Sequence, residues 1–168
     1  MFNLFKDKFS LSKDNTKPII SDEAFAIRFL LKALIQEKFS SSLKLYIFDS
    51  GSCNGCELEL QILFSPLYDL ASYGLNVVYD ISEADVLLIT GLMTENMYVE
   101  LEDIYTKLKE PKEIIMIGDC PLQTVAFRDT FALKDKVSNL FPKAFHVPAC
   151  PPEPLVILEG FYEYLKRF

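Results

Sequence analysis

The feature that most constrains this chain is the alternation, from Leu43 onward, of short apolar runs with helical segments. The runs fall at residues 43–48 (LKLYIF), 76–79 (NVVY), 86–90 (VLLIT) and 113–117 (EIIMI), with helices expected at about 57–72 and 95–108. Such alternation implies an α/β fold, a parallel sheet with helices on both faces. Residues 86–90 and 114–117 are apolar without interruption, as strands are when both faces of the sheet are covered. Toward the end, residues 144–147 (AFHV) read as another short strand and residues 155–168 as a terminal helix after a Pro-rich turn.

Ahead of this body lies a different kind of segment. Ser21 is placed to cap a helix, and Asp22 and Glu23 favour its positive end. Residues 24–38 contain neither Gly nor Pro, so the helix is expected to run to about Lys38. Arg28, Lys32 and Gln36 recur at intervals of four and suggest a polar stripe, leaving Phe25, Ala26, Ile27, Phe29, Leu30, Leu31, Leu34 and Ile35 as a broad apolar surface. That surface needs cover from its own domain, a partner subunit or a membrane interface, and the sequence leaves the three open. The apolar stretch is shorter than the roughly 18 residues needed to cross a bilayer. The expected organisation is therefore an N-terminal arm and helical extension over residues 1–42, followed by one domain over residues 43–168.

Charge narrows the partners. Of the net charge of -7, residues 1–44 contribute eight basic against five acidic side chains, and the remainder nine against nineteen, or +3 and -10 by subtraction. An acidic body with no basic stripe is repelled by phosphate, so no nucleic acid partner is expected. The opening MFNLFKDKFSLSKDN breaks its apolar residues with Lys and Asp and does not read as a secretory signal, which makes the cytoplasmic side the expected location. In that reducing compartment four cysteines point to metal or redox chemistry rather than to structural disulfides.

These cysteines are Cys53, Cys56, Cys120 and Cys150: a C-x2-C pair and two distant singles. Each follows an expected strand, and the C-terminal ends of parallel strands share one edge of the sheet, the usual ligand crevice of open α/β folds. Four thiolates at one point suit a 4Fe-4S cluster or a structural zinc ion. Zinc sites are generally built from two close pairs on small knuckles, so one pair plus two singles on a large body favours the cluster. Gly51 and Gly55 permit tight turns whose N–H groups can point at sulfur, and the prolines in Cys120-Pro121 and Cys150-Pro151-Pro152 stiffen the ligand loops. A thioredoxin-like use of Cys53 and Cys56 would leave Cys120 and Cys150 without a role.

The segments Gly51-Ser52-Cys53-Asn54-Gly55-Cys56-Glu57-Leu58-Glu59, Gly118-Asp119-Cys120 and Pro148-Ala149-Cys150-Pro151-Pro152-Glu153-Pro154 resemble the small subunits of nickel-iron hydrogenases and the related 20 kDa subunit of respiratory complex I. The resemblance covers about residues 43–165. It is nearest to the membrane-bound, energy-converting hydrogenases of the formate hydrogenlyase type, since complex I relatives have adjacent cysteines where this chain has Cys-Asn-Gly-Cys. It implies a flavodoxin-like domain whose single 4Fe-4S cluster sits on the four cysteines beside a large subunit holding the nickel-iron centre. The chain would be a non-catalytic, electron-transferring subunit of an oxidoreductase, passing electrons to a ferredoxin-like iron-sulfur subunit. With the membrane subunits of the complex as further partners, it would sit peripherally on the cytoplasmic side of the inner membrane. Quinone reduction in a complex I-like assembly is the alternative role, and a structural zinc module the alternative of a different class.

Two departures from the family pattern stand out. Relatives commonly carry a Gly-rich stretch after the third cysteine and Pro-Gly before the fourth, where this chain has Pro121-Leu122-Gln123-Thr124 and Pro148-Ala149. Glu57 and Glu59 are candidates to face the large subunit or to assist proton movement, against the plain reading of acids in a first helical turn. His146, Asp119 and Arg128 are read as structural.

Overall fold

A computed structural model describes residues 20–126 and 130–168. Five strands form one sheet: β1 (Leu43–Asp49), β2 (Leu75–Val77), β3 (Val86–Thr90), β4 (Glu113–Ile117) and β5 (Phe145–Val147). All neighbours are parallel and the spatial order is β2-β1-β3-β4-β5, the flavodoxin-like winding, whose topological switch point lies between β1 and β3.

Side chains leave alternate faces of each strand, and this alternation builds two cores. Leu43, Leu45, Val86, Leu88, Ile115, Ile117 and Val147 face one side, where α1 (Asp22–Phe39), α2 (Gly55–Phe64) and α5 (Pro154–Leu165) cover them. Phe48, Leu87, Ile89, Ile114 and Met116 face the other, covered by α3 (Glu95–Lys107) and the short α4 (Val137–Leu140). β3 is wholly buried, in keeping with its unbroken apolar sequence.

β2 is shorter than the run at residues 76–79 suggests, and two helices differ more from the sequence-based expectation. The helix expected over residues 57–72 is α2, which ends at Phe64 because Pro66 forces Ser65 out of helical conformation, to φ -70° and ψ 163°. The chain turns, and only a short 3-10 turn at Leu70–Tyr73 follows. In α1, whose cap Ser21 accepts from the Ala24 N–H as expected, the buried stripe is Ala24, Arg28, Leu31 and Ile35. Arg28 thus belongs to the covered face and not to a solvent-facing polar one. Its aliphatic stem is buried, its guanidinium donates to the Tyr68 carbonyl oxygen, and its charge lies 5.3 Å from the Phe25 ring centroid and 4.9 Å from that of Tyr73. The stripe that the sequence assigns to the interior is partly open instead: Phe25, Phe29 and Leu30 remain about half exposed.

Arg28 ties α1 to the turn after α2, so replacing it removes a charge-assisted hydrogen bond and aromatic contacts together. R28A is expected to lower the unfolding free energy by about 2–3 kcal/mol, measured by urea denaturation of the full chain, with R28K recovering only part of the loss.

Candidate functional site

The first cysteine pair depends on how β1 ends. Ser50, fully buried, donates through its hydroxyl to the Thr90 carbonyl, and the Thr94 hydroxyl donates to the Ser50 carbonyl, fastening the end of β1 to the end of β3. Beyond it the chain reverses around Asp49, whose Oδ1 accepts from Gly51 N (2.8 Å) and Ser52 N (2.7 Å), while Ser52 Oγ accepts from Asn54 N (3.0 Å). The Gly51 N–H therefore serves the Asp49 carboxylate and not a sulfur, contrary to expectation. Gly51 has φ +125°, which suits glycine, but the second reversal falls on Asn54 at φ 68°, one of the few other residues that enters the left-handed region readily. Asn54 then opens α2 and places Cys56 in its first turn.

Cys120 and Cys150 are brought side by side because pairing of β4 with β5 outlasts the strands. Gly118 N donates to the Val147 carbonyl at 2.8 Å and Asp119 N to the Ala149 carbonyl at 3.0 Å. Asp119 Oδ1 accepts in return from Ala149 N at 3.0 Å, so one residue clamps the loop of the fourth cysteine from both directions. His146 Nε2 lies 3.0 Å from the Gly118 carbonyl, fixing the other edge of the same turn. Asp119 and His146 act on loop geometry here; Arg128 lies outside the described residues.

The two halves then interlock. A Cβ on Gly118 would stand 2.7 Å from Cys56 Sγ, and one on Gly55 would lie 3.5 Å from both Cys53 Sγ and Pro151 Cβ. Gly118, at φ +84°, is the close approach that lets the end of β4 receive the Cys56 sulfur.

Electrostatics register the same convergence. Burial pushes the Cys56 thiol up to about 12, reinforced by the neighbouring charges of Glu57, Cys120, Cys150 and Cys53. Burial raises Cys120 to about 11, with Cys150, Cys53, a hydrogen bond to Cys150 and Asp119 adding to it. Cys56 and Cys120 are buried, Cys53 and Cys150 exposed, so two ligand candidates form the floor of the site and two its rim. Among the described residues, no three His, Cys, Asp or Glu side chains are gathered as a ready-made site for one metal ion. The four sulfurs match the donor set of a thiolate-held iron-sulfur cluster, and the side-chain-free cradle at Gly118 leaves room against the buried one.

Glu57 behaves unlike an exposed first-turn acid. Both of its carboxylate oxygens are buried without a hydrogen-bond partner and closed off from solvent, although the residue is one of those lining a cavity of about 550 Å³ between α2 and the β1–β2 edge. Sequence position alone signals only proximity to Cys56.

A parallel sheet in this order, with cysteines at the ends of β1, β4 and β5, defines a flavodoxin-like domain with a thiol-lined carboxyl edge. Residues 53–164 match the family described as NADH ubiquinone oxidoreductase, 20 Kd subunit, and the chain belongs to that family. Relatives include formate hydrogenlyase subunit 7 of Escherichia coli, 33% identical over 86% of this chain and 55% of the relative. A probable membrane-bound hydrogenase subunit of Pyrococcus furiosus is 35% identical over 71% of each chain. A subunit of the NADH-quinone oxidoreductase of Heliobacterium modesticaldum is 32% identical over 63% of this chain and 61% of its own. The chain thus spans about half the length of the Escherichia coli relative. The fold is shared with a chain of the membrane-bound sulfane sulfur reductase, an archaeal respiratory membrane complex, at a TM-score of 0.64 and 22% identity over 79% of this chain and 73% of that one. No helix among the described residues is long and apolar enough to cross a membrane.

Ala149 holds φ 104°, a conformation that costs an alanine about 1 kcal/mol or more and a glycine almost nothing. A149G is therefore expected to raise stability by about 1 kcal/mol, read as a higher denaturant midpoint at unchanged slope.

In the metal-free chain, the raised Cys56 and Cys120 values mean that the folded state holds protons that the unfolded state has released. The stability due to these thiols is whole below their ordinary value of 9.0 and drains away as pH rises toward about 12. Denaturant midpoints measured from pH 8 upward should fall across that window, and C56A should flatten much of the fall.

Proposed function

We propose that this protein is the electron-transferring small subunit of a membrane-associated, energy-converting hydrogenase, holding one 4Fe-4S cluster on Cys53, Cys56, Cys120 and Cys150. The observation that carries the reading is the gathering of four thiols, from three separate strand ends, at one edge of the sheet. Kinship with the hydrogenase and quinone-oxidoreductase subunits supports it, and the Cys-Asn-Gly-Cys spacing favours the hydrogenase branch over the quinone-reducing one.

When bound, the cluster supplies one-electron transfer between two oxidation states. The chain's own residues do the rest. Cys56 and Cys120 supply buried sulfur, which keeps water from one side of the site, while Cys53 and Cys150 supply sulfur at the rim, where a neighbouring redox subunit can approach. Asp119 and the paired ends of β4 and β5 hold two of the sulfurs at fixed spacing, limiting movement when charge changes. The nickel-iron large subunit is the partner placed against this edge, with a ferredoxin-like iron-sulfur subunit receiving or delivering the electron. Membrane subunits complete the assembly on the cytoplasmic side of the inner membrane. The half-exposed Phe25, Phe29 and Leu30 of α1 are consistent with life inside a complex.

Anaerobic purification with native partners, followed by metal and acid-labile sulfide analysis, tests the reading. About four irons and four sulfides per chain, with a reduced-cluster paramagnetic signal after dithionite, are expected, and C120A should abolish or alter that signal. One zinc and no sulfide would replace the reading with a structural zinc module.

A further inference from the structure

In an open sheet of this order the crevice between β1 and β3 is where a ligand usually enters, yet here the chain itself fills it. Ser50 and Thr90, both fully buried, stand at the two strand ends. The Thr90 hydroxyl donates to the Phe48 carbonyl, as the Ser50 hydroxyl does to that of Thr90. The turn after β3, residues 91–95, then closes over the loop that leads to Cys53. Thr94 N and Leu92 N donate to the carbonyls of Ser50 (3.0 Å) and Gly51 (3.2 Å). The approach is too close for a side chain on either strand end: a Cβ on Gly91, at φ +82°, would stand 2.5 Å from Ser52 N, and one on Gly51 2.5 Å from Thr94 Cγ2.

The same turn is held from its other side. Glu95 N donates to the Ala132 carbonyl and Lys134 N to that of Met93, both at 2.9 Å, with an antiparallel bridge between Thr94 and Leu133. Lys134 Nζ lies 3.3 Å from Glu95 Oε2. A segment without a cysteine thus joins the chain just before Cys53 to the chain downstream of Cys120.

Thr94 is the centre of this support. Its hydroxyl donates to the Ser50 carbonyl at 3.2 Å and accepts from Met97 N at 3.4 Å, so one side chain ties the Cys53 loop to the start of α3. The other thiols have their own anchors: Cys56 lies in α2, Cys120 in the short turn that ends β4, and Cys150 on the loop clamped by Asp119. Cys53 is exposed and lies in no helix or strand, and the Gly51 and Ser52 N–H groups before it are already taken by Asp49.

We propose that Thr94 is a positioning residue for the Cys53 sulfur, acting through the Ser50 carbonyl, and that residues 91–95 fix this rim thiol relative to the other three. The inference rests on the proposed cluster only for its redox consequence; the tether is a property of the chain. A loop released at Ser50 lets the Cys53 sulfur turn away from the thiol set, which opens it to reagents and spreads the ligand geometry offered to a cluster.

Two variants separate the hydroxyl from the shape around it. T94V keeps the branched contact with Gly51 and removes the hydroxyl, while T94S keeps the hydroxyl and removes the methyl. In the metal-free full chain, iodoacetamide should alkylate Cys53 of T94V at least about threefold faster, relative to Cys150, than in the wild type, as counted by mass spectrometry. T94S should keep the wild-type ratio. In the complex purified anaerobically with its native partners, T94V should broaden the reduced-cluster paramagnetic signal and shift its midpoint potential, and T94S should restore both. L101A truncates a buried residue of the same helix, so it should lower the denaturant midpoint and leave the alkylation ratio and the signal unchanged. A wild-type ratio in T94V, no difference between T94V and T94S, or an equal change in L101A would each overturn the proposal. Iron and sulfide counts keep the two readings apart: a wild-type complex without iron fails the cluster assignment, and the alkylation ratios, which need no metal, still decide the tether.

Discussion

The site exists because parallel pairing between β4 and β5 does not stop where the strands do. Two further backbone hydrogen bonds, from Gly118 N and Asp119 N, carry the register past Ile117 and Val147, and the Asp119 carboxylate closes the pair from the opposite side. Cys120 and Cys150 are 30 residues apart in the chain, yet this ladder sets their spacing as firmly as a strand sets its side chains. Once that edge is fixed, Gly118 leaves space for the sulfur of Cys56, and α2 can approach. Without Asp119 the loop of the fourth cysteine would be tied only by backbone, and Ala149 would have less to hold it at φ 104°.

That dependence explains what is legible in the sequence and what is not. The strands are readable because burial on both faces demands unbroken apolar runs: β3 and β4 fall on residues 86–90 and 113–117 as expected. The parallel sense of the sheet and the placing of cysteines after strands follow from alternation, while the flavodoxin-like order is what the family resemblance implies. The end of α2 escapes a reading by helical pattern, although the restriction that Pro66 places on Ser65 is a local rule. Arg28 escapes it for a deeper reason. Periodicity classes arginine as polar, whereas this one has its stem in the core and its charge against aromatic rings and the Tyr68 carbonyl, contacts that only the tertiary fold supplies.

Within the site the same division holds. The absence of glycine at position 149 is visible in the sequence as a departure, and the structure gives its consequence, an alanine in left-handed territory held by Asp119. The turns around the first two cysteines are less legible. Glycines at 51 and 55 suggest donors aimed at sulfur, but the Asp49 carboxylate captures the Gly51 N–H and Asn54 takes one of the reversals. Side chains that bond their own backbone compete for such donors, and a short motif read residue by residue does not show who wins.

Glu57 illustrates where a single chain stops being a sufficient frame. Inside this chain its carboxylate is a cost: buried, unpartnered and adjacent to sulfur. A folded domain tolerates such a group when a partner cancels the charge on assembly, and the penalty then becomes a source of specificity, since an incorrect neighbour leaves the charge unpaired. The half-exposed aromatic face of α1 is apolar and open, whereas the Glu57 oxygens are closed off from solvent, so only the first is a surface that a neighbour meets without rearrangement.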